Sequence, residues 1–250
     1  MAIHLRSPEE VEKLRASNRV VALVMRELRK AVQAGVTTLE LDALAERLVA
    51  EMGAKPAFKG YRGYKHTICA SVNEQVVHGV PSKRKLEEGD IISIDIGARL
   101  DGFYGDHAAT IPVGGVSAEA RRLICCCEEA LAKGIEKARS GNWLFDISHA
   151  IQSHAEGAGF SVVRAYVGHG IGANLHEEPQ VPNFGEPGTG PELKPGMVLA
   201  IEPMLNAGVA DVKVLNDEWT VVTADLKLSA HFEHSVAIAA DGPDVLSLVP

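Results

Sequence analysis

The sequence predicts an α+β fold with a largely antiparallel sheet, and three observations lead to that prediction. Helix-like segments come in pairs, and strand-like runs follow them in blocks instead of alternating with single helices. The same order of segments occurs twice along the chain, at an offset of about 106 residues. No linker rich in proline, glycine and serine separates the two copies. We therefore expect residues 1–250 to form a single domain, internally duplicated, with halves of about 1–112 and 113–250.

The first helix pair is predicted from its capping residues and its apolar spacing. Ser7 suits the N-cap, Pro8 suits the first helical position, and Glu10 completes a capping box. Apolar residues then recur at helical spacing until Gly35, which is expected to end the first helix. A second helical segment, with leucines at positions 41, 44 and 48, is expected to end at Gly53.

The segment IISIDIGARLDGFYGDHAATI is predicted to form two antiparallel strands joined by a tight loop. If residues 99–102 form a four-residue loop with a positive φ at its glycine, Ala98 pairs with Phe103 and Asp95 lies opposite Asp106. The Cβ atoms of directly opposed residues are roughly 5 Å apart on one face of the sheet. Two carboxylates at that distance repel each other. We expect them to share a proton or, with further acids nearby, to bind a pair of divalent cations.

The second half of the chain repeats the pattern of the first. At an offset of 106, Gly141 and Gly159 align with the glycines that end the first two helices, which predicts a second helix pair. At an offset of 107, LEEGDIISID aligns with LKPGMVLAIE, so Asp95 and Glu202 take equivalent positions. The identities are few, and chance similarity is the alternative to duplication. With a pseudo-twofold relation between the halves, both acids would face one shared cleft.

Five residues of metal-binding type lie within or beside short apolar runs. An unpaired buried charge costs several kcal/mol, so an ion pair or a backbone cap would explain any one of them alone. Four carboxylates and one imidazole together are better explained by a site for hard or borderline divalent cations. The candidate ligands are Asp95, Asp106, His169, Glu202 and Glu233.

The other histidines are assigned by their position relative to these acids. Strand alternation is expected to turn His107, His231 and His234 away from the face that carries the acids. His169 differs because it lies among three glycines in GHGIG, where the backbone can approach a ligand closely. His78 and His176, considered alone, are ordinary loop histidines.

Composition excludes several classes of function. The chain has 46% hydrophobic residues but no apolar run of about 18 residues, so no transmembrane helix is predicted. The N-terminal segment lacks the apolar stretch of a signal peptide, and we expect a cytoplasmic protein without membrane contact. A net charge of −8 argues against a general nucleic-acid binder, and no specific DNA binding is expected.

The motifs as a set resemble the bacterial type I methionine aminopeptidases, which belong to the creatinase-like or pita-bread superfamily. The resemblance covers nearly the whole chain. It rests on KGYRGYKHTICASVNEQVVHGVP, SIDIGARLDGFYGDHAAT, VGHGIGANLHEEPQVPNFG, MVLAIEPM and DEWTVVTADLKLSAHFEH. It implies a largely antiparallel curved sheet with two pseudo-twofold-related helix pairs. It also implies metal-dependent removal of the initiator methionine from nascent proteins whose next residue is small.

The resemblance also implies a set of functional residues. Asp106 and Glu233 would bridge two divalent ions, Asp95 would complete one metal site, and His169 and Glu202 would complete the other. Ligand hardness favours cobalt, manganese or iron(II), with zinc or nickel as alternatives. The residues implied in catalysis are His78, His176 and Glu202. The residues implied in substrate binding are His78, His176, Tyr61, Tyr64, Cys69, Trp219 and Phe58.

The implied mechanism agrees with the chemistry of such a site. A hydroxide held between two metal ions is a nucleophile at neutral pH and is expected to attack the first peptide bond. His176 would donate to the developing oxyanion, and Glu202 would carry a proton to the leaving amine. Four positions depart from the pattern of the enterobacterial members, and they concern the shape of the pocket and metal preference: Phe58, Gly97, Leu175 and Phe232.

The partner implied by the resemblance is the N-terminal methionine of nascent polypeptides, with transient ribosome contact. Lys83, Arg84 and Lys85 form the densest basic run, which would either touch rRNA or remain a solvated surface. We expect a monomer. Two alternative functions are a proline-directed peptidase of the same superfamily and a non-catalytic protein that binds N-termini.

Overall fold

The computed structural model describes residues 2–248, so the two ends of the predicted 1–250 domain lie outside the described residues. The α-helices are α1 (Pro8–Ala31), α2 (Thr38–Glu51), α3 (Ala118–Lys137) and α4 (Leu144–Gly157). The strands are β1 (Lys55–Pro56), β2 (Ile68–Val72), β3 (Gln75–Val77), β4 (Ile91–Leu100), β5 (Phe103–Pro112), β6 (Ser161–Val162), β7 (Gly168–Gly170), β8 (Glu177–Val181), β9 (Val198–Ile201), β10 (Met204–Asn206), β11 (Val212–Val214), β12 (Val221–Thr223), β13 (Ser229–His231), β14 (Glu233–Ile238) and β15 (Pro243–Val245).

The first helix begins as its capping residues predict. The amide of Glu10 donates to Ser7 Oγ at 3.3 Å, and the amide of Ser7 donates to the Glu10 carboxylate at 2.9 Å. The helix ends at Ala31, four residues before the predicted Gly35, because the next residue, Val32, is already extended. A second capping box, between Thr37 and Glu40, begins α2 and was not predicted.

The second helix pair is present where the offset predicts it. Helix α4 occupies the positions of α2 shifted by 106 at both ends, from Leu144 to Gly157. Gly53 and Gly159 adopt positive φ angles of 73° and 86° just after these two helices. The matching bounds support an internal duplication within one domain, which remains a prediction.

The main sheet is antiparallel at every described pairing, which confirms the predicted α+β class. Its strand order is β1-β4-β5-β14-β9-β7-β8, with β2 also paired to β4 and β15 to β14. Two three-stranded sheets, β13-β10-β6 and β11-β12-β3, accompany it. No helix within residues 2–248 is long and apolar enough to cross a membrane.

The register predicted for the β4–β5 hairpin is wrong by two residues. Leu100 pairs with Phe103, so the loop contains only Asp101 and Gly102. Both loop residues have positive φ angles, 49° and 89°, as a two-residue type I′ turn requires. Asp106 therefore lies opposite Gly97, and the residue opposite Asp95 is Ala108.

Strand alternation divides the sheet into an inner apolar face and a functional face. Ile92, Ile94 and Ile96 of β4 pack into the main core with residues of all four helices. Asp95 lies between them in sequence and projects to the opposite face. A second, smaller apolar cluster on that face contains Phe58, Tyr64, Cys69 and Leu175 among its members. The fold thus places the acids beside a separate apolar pocket.

Candidate metal centre

The five predicted ligands lie on, or directly after, five neighbouring strands of the main sheet. In the strand order β4-β5-β14-β9-β7, Asp95 is on β4, Asp106 on β5, Glu233 on β14 and His169 on β7. Glu202 directly follows β9, which ends at Ile201. Each strand therefore contributes one side chain. All five side chains line a single cavity of about 200 Å³.

The side chains converge closely enough to hold a metal ion. Asp106, His169 and Glu233 are buried, and each offers a ligand atom within 4.8 Å of those of the other two. His169 Nε2 lies 3.6 Å from a Glu202 carboxylate oxygen and 4.0 Å from Asp106 Oδ2. His169 Nδ1 lies 2.9 Å from the carbonyl oxygen of Gly170 and donates to it, which leaves Nε2 with its lone pair directed at the acids.

The carboxyl groups lack the protein partners that buried acids usually have. Asp95 Oδ1, Asp106 Oδ1 and Glu233 Oε1 are buried without a hydrogen-bond partner among the described residues. Burial first, and then repulsion by neighbouring acids, raises the pKa of Asp106 and of Glu233 well above the ordinary range. Burial likewise raises the pKa of Asp95 to about 7 and that of Glu202 to about 7.

The donor set fits one or more divalent cations. Four carboxylates and one imidazole nitrogen make an oxygen-rich donor set of the kind that manganese, iron(II) and cobalt accept. A cation would neutralise the repulsion that raises these pKa values and would occupy the orphaned oxygens. In its absence, the same acids remain ionised only at a large cost in free energy.

Two further predicted residues lie at the same cavity. The His176 ring stands 4.3 Å from the His169 ring, centroid to centroid, and its Nδ1 lies 2.9 Å from Tyr61 Oη. Burial of the ring faces, together with nearby His169 and Arg62, lowers the pKa of His176 to about 3. His78 packs edge-on against Tyr166 at 5.5 Å, and burial lowers its pKa to about 4. Both imidazoles are therefore neutral near pH 7.

The predicted substrate-binding residues form the apolar side of the cavity. Tyr64 is fixed by hydrogen bonds from its hydroxyl to the carbonyls of Ile68 and Gly79, and it packs edge-on against Trp219 at 4.9 Å. Burial raises the pKa of the Cys69 thiol, which therefore stays protonated and apolar. The predicted residues of this group all line the cavity: Phe58, Tyr61, Tyr64, Cys69, His78, His176 and Trp219.

The prediction that His231 faces away from the acids is wrong. Its Nε2 is buried 3.5 Å from a Glu202 carboxylate oxygen and has no hydrogen-bond partner among residues 2–248. The reason is that His231 ends β13 and Glu233 begins β14 with only Phe232 between them, so the two side chains keep the period-two spacing that puts residues on one face. His107 and His234 do face away, as predicted. Their rings stack at 4.8 Å on the other side of the sheet.

Several lining residues were not predicted as parts of the site. Arg62, Tyr166, Val167 and Met204 all line the cavity. They come from loops and from a small separate sheet, and nothing in their local sequence marks them as functional. His231 could have been found, because period-two spacing from Glu233 indicates its position.

Two of the four departures from the enterobacterial pattern are in contact. A Cβ atom added at Gly97 would lie 2.6 Å from Phe58 Cε1 and 2.8 Å from the Ala57 Cβ. The Phe58 ring therefore occupies the space that a side chain at position 97 would need. Leu175, another departure, is a buried member of the same apolar cluster.

Comparison with known proteins finds close relatives along nearly the whole chain. The pattern of metallopeptidase family M24 matches residues 12–240. Methionine aminopeptidase 1 of Bacillus subtilis is 54% identical over 244 residues, covering 98% of both chains. A methionine aminopeptidase of Clostridium perfringens is 51% identical over 247 residues, covering 99% of both.

Solved structures give the same result for the fold. The crystal structure of a Thermotoga maritima methionine aminopeptidase superposes with a TM-score of 0.98 at 45% identity, covering 99% of this chain and 100% of the other. A Pyrococcus furiosus prolidase superposes with a TM-score of 0.78 at 23% identity, covering 98% of this chain and 66% of the other. The second similarity concerns the fold alone.

Proposed function

The chain belongs to metallopeptidase family M24, among the bacterial methionine aminopeptidases, and we propose that it removes the initiator methionine of nascent proteins whose next residue is small. It is a hydrolase with the pita-bread fold. One observation carries the proposal: five neighbouring strands each direct one ligand-type side chain into a cavity whose other side is apolar.

Members of this family are metallopeptidases, and the candidate cluster gives this chain a place for divalent ions. We assign two ions to the site. Asp106 and Glu233 would contact both, Asp95 would complete one, and His169 with Glu202 would complete the other. When bound, such ions supply Lewis acidity and lower the pKa of a coordinated water towards neutrality. Manganese, iron(II) or cobalt suits the oxygen-rich donor set, with zinc or nickel as alternatives.

His176 is assigned to the oxygen of the first peptide carbonyl. Its pKa of about 3 keeps the ring neutral at physiological pH. With the Tyr61 hydroxyl donating to Nδ1, the ring hydrogen resides on Nε2. That N–H donates to the carbonyl oxygen as negative charge develops there. His78, on the other side of the cavity, is assigned to hold the substrate backbone.

Glu202 is assigned to proton transfer. Its carboxylate lies between the imidazoles of His169 and His231, 3.6 Å from one and 3.5 Å from the other. It would accept a proton from the attacking water and return it to the leaving amine. The surrounding carboxylates attract the free α-amine of the substrate, which would restrict cleavage to the first peptide bond of a chain.

The apolar side of the cavity is assigned to the methionine side chain. Phe58, Cys69 and Trp219 present aromatic and sulfur surfaces, which pack well against an unbranched thioether.

A peptidase assay tests the proposed function. The protein should release methionine from Met-Ala peptides and leave X-Pro peptides intact. Dialysis against a chelator should abolish the activity, and individual add-back of manganese, iron(II), cobalt, zinc and nickel should rank the metals. Cleavage of X-Pro peptides would identify a proline-directed peptidase instead. Binding of Met-Ala peptides without hydrolysis under every metal would identify a non-catalytic N-terminus binder.

We further propose transient ribosome contact in the cytoplasm, since methionine removal acts on emerging chains. Lys83, Arg84 and Lys85 are exposed and form no ion pair with any residue in 2–248. Hydrogen bonds from Leu39 N and Thr38 Oγ1 to the Ser82 carbonyl attach this loop to α2. Replacing the three basic residues with glutamate should weaken salt-sensitive ribosome co-sedimentation without changing peptide hydrolysis. Unchanged co-sedimentation would leave the loop as solvated surface.

A further inference from the structure

The mouth of the catalytic cavity carries one positively charged side chain. Among the lining residues, only Arg62 and His176 are exposed to solvent, so these two mark the rim. The other ionisable side chains of the lining are acids, histidines, tyrosines and one cysteine. Arg62 is the only arginine among these lining residues, and no lysine lines the cavity, so it carries the one permanent positive charge of the lining.

Arg62 has no carboxylate partner within residues 2–248. No acidic oxygen of those residues lies within 4.0 Å of its guanidinium, whereas Arg6 pairs with Glu177 and Arg15 with Asp244. The contact it does make is with an aromatic face, since its Cζ lies 5.4 Å from the centroid of the Tyr61 ring. Its five N–H donors therefore remain largely available to a ligand at the rim.

The backbone holds this side chain at the rim. Arg62 has φ 48° and ψ 23°, in the left-handed region, which is uncommon for a residue with a Cβ. Positive φ angles at Gly60 and Gly63 and hydrogen bonds of 2.9 Å from Tyr61 N to Phe58 O and from Tyr64 N to Tyr61 O close the turn around it. A strained position that persists at a cavity mouth is a reason to look for function there.

The distance from the metal ligands sets what Arg62 can reach. Three contacts connect them: the rings of His169 and His176 are 4.3 Å apart, those of His176 and Tyr61 5.3 Å, and the guanidinium lies 5.4 Å above Tyr61. The three contacts need not lie on one line, so their sum is an upper limit on the distance, and an extended peptide, which rises about 3.3 Å per residue, covers it within about five residues. The guanidinium is therefore within reach of the first few substrate residues beyond the scissile bond.

We propose that Arg62 is a specificity-determining residue that favours substrates with an acidic side chain shortly after the scissile bond, at the third residue of the chain in particular. This inference rests on the proposed function. The guanidinium would pair with the carboxylate at the rim while the methionine side chain occupies the apolar pocket. An exposed ion pair of this kind changes affinity by about 1.5–5-fold at low ionic strength and is screened by salt.

The test compares peptides of the series Met-Ala-Xaa-Ala-Ala, in which Xaa is Asp, Ala or Lys. For the wild-type holoenzyme, kcat/KM should follow the order Asp, Ala, Lys, with an Asp-to-Lys ratio of about 2–10 that falls towards one in 0.5 M salt. Arg62→Lys should retain the order, Arg62→Gln should flatten it, and Arg62→Glu should invert it.

Arg99 provides a matched control. It is also exposed and stacks on a tyrosine, Tyr104, with its Cζ 5.3 Å from the ring centroid, but it does not line the cavity. Arg99→Glu should leave the peptide order unchanged. An equal decrease in kcat/KM for all three peptides in Arg62→Gln would show that Arg62 only holds Tyr61 in place, and it would overturn the inference. If the wild type cleaved none of the three peptides, the proposed function itself would be contradicted. That result can be told apart from an equal loss in Arg62→Gln, which leaves the proposed function standing.

Discussion

At the scale of single residues, the buried acids determine the consequence of each substitution. Asp106 stands at the centre of the cluster, near both His169 and Glu233, and its Oδ1 has no hydrogen-bond partner within residues 2–248. Asp106→Ala should therefore lose both metal ions together and reduce peptide hydrolysis to background. Elemental analysis after dialysis, with Glu186→Ala at an exposed loop as control, measures the loss. Full metal content in Asp106→Ala would contradict the bridging role.

His176 is expected to act on the substrate and not on the metal. His176→Ala removes an N–H donor at the cavity mouth and should lower kcat by about 10²–10³ while metal content stays normal. Tyr61→Phe, which removes the hydroxyl 2.9 Å from His176 Nδ1, should show a smaller fall in kcat. Steady-state kinetics and elemental analysis on the same samples separate the two roles. Loss of metal from His176→Ala would make this histidine a ligand.

At the scale of elements, the pocket wall depends on how β4 packs against the segment before β2. Gly97 of β4 lies against Phe58, and the backbone amide of Ala57 donates to the Gly97 carbonyl at 2.9 Å. The Phe58 ring fills the space that is left because residue 97 has no side chain. A change at one position is therefore expected to require a change at the other.

A double-mutant cycle tests that complementarity. Gly97→Thr should destabilise the protein by about 1–3 kcal/mol, because the new Cβ would overlap the Phe58 ring. Phe58→Cys should leave a void, and combining the two changes should recover part of the loss. Denaturant unfolding of the wild type, both single variants and the double variant gives the coupling free energy. Simple additivity of the two losses would show that the positions are independent.

At the scale of the whole molecule, the sheet holds four acids together that repel one another without a cation. Burial raises the folded-state pKa of Asp95 and of Glu202 to about 7, against roughly 4 in an unfolded chain. Between about pH 4 and pH 7 the folded, metal-free protein holds more protons at these groups than the unfolded chain does. Their contribution to the free energy of unfolding should therefore decrease as pH rises through that window, by about 1.4 kcal/mol per pKa unit.

Thermal unfolding in chelator from pH 4.5 to 8 measures this contribution. Buried neutral histidines, among them His78 and His107 with lowered pKa values, act in the opposite direction. Their contribution to the free energy of unfolding decreases as pH falls, because the unfolded chain then binds protons that the folded protein does not. The informative quantity is thus the difference between wild type and Asp95→Asn/Glu202→Gln. The thermal stability of the double variant relative to the wild type should increase as pH rises. Saturating manganese should strongly stabilise only the wild type. A pH-independent difference would contradict the buried repulsion.

Local chemistry could be predicted from sequence because local rules decide it. Ser7 and Glu10 begin α1 through a short-range capping box, and the spacing of glycines predicts where α2 and α4 end. The five ligand-type residues were recognisable because a charge in an apolar strand needs a partner. The hairpin between Asp95 and Asp106 was also predicted, but its register was wrong because a four-residue loop was assumed, whereas Asp101 and Gly102 form the two-residue type I′ turn that an Asp-Gly pair favours.

The sequence by itself determined the two helix pairs, the β4–β5 hairpin, the candidate ligands and the family resemblance, since each can be recognised from residues close together in the chain. Only the tertiary structure decided the strand order, which brings Asp95, Asp106, Glu233, Glu202 and His169 together from five neighbouring strands. Strand order depends on long-range packing that no local pattern encodes. The same packing placed His231 beside Glu202 and Arg62 at the cavity mouth.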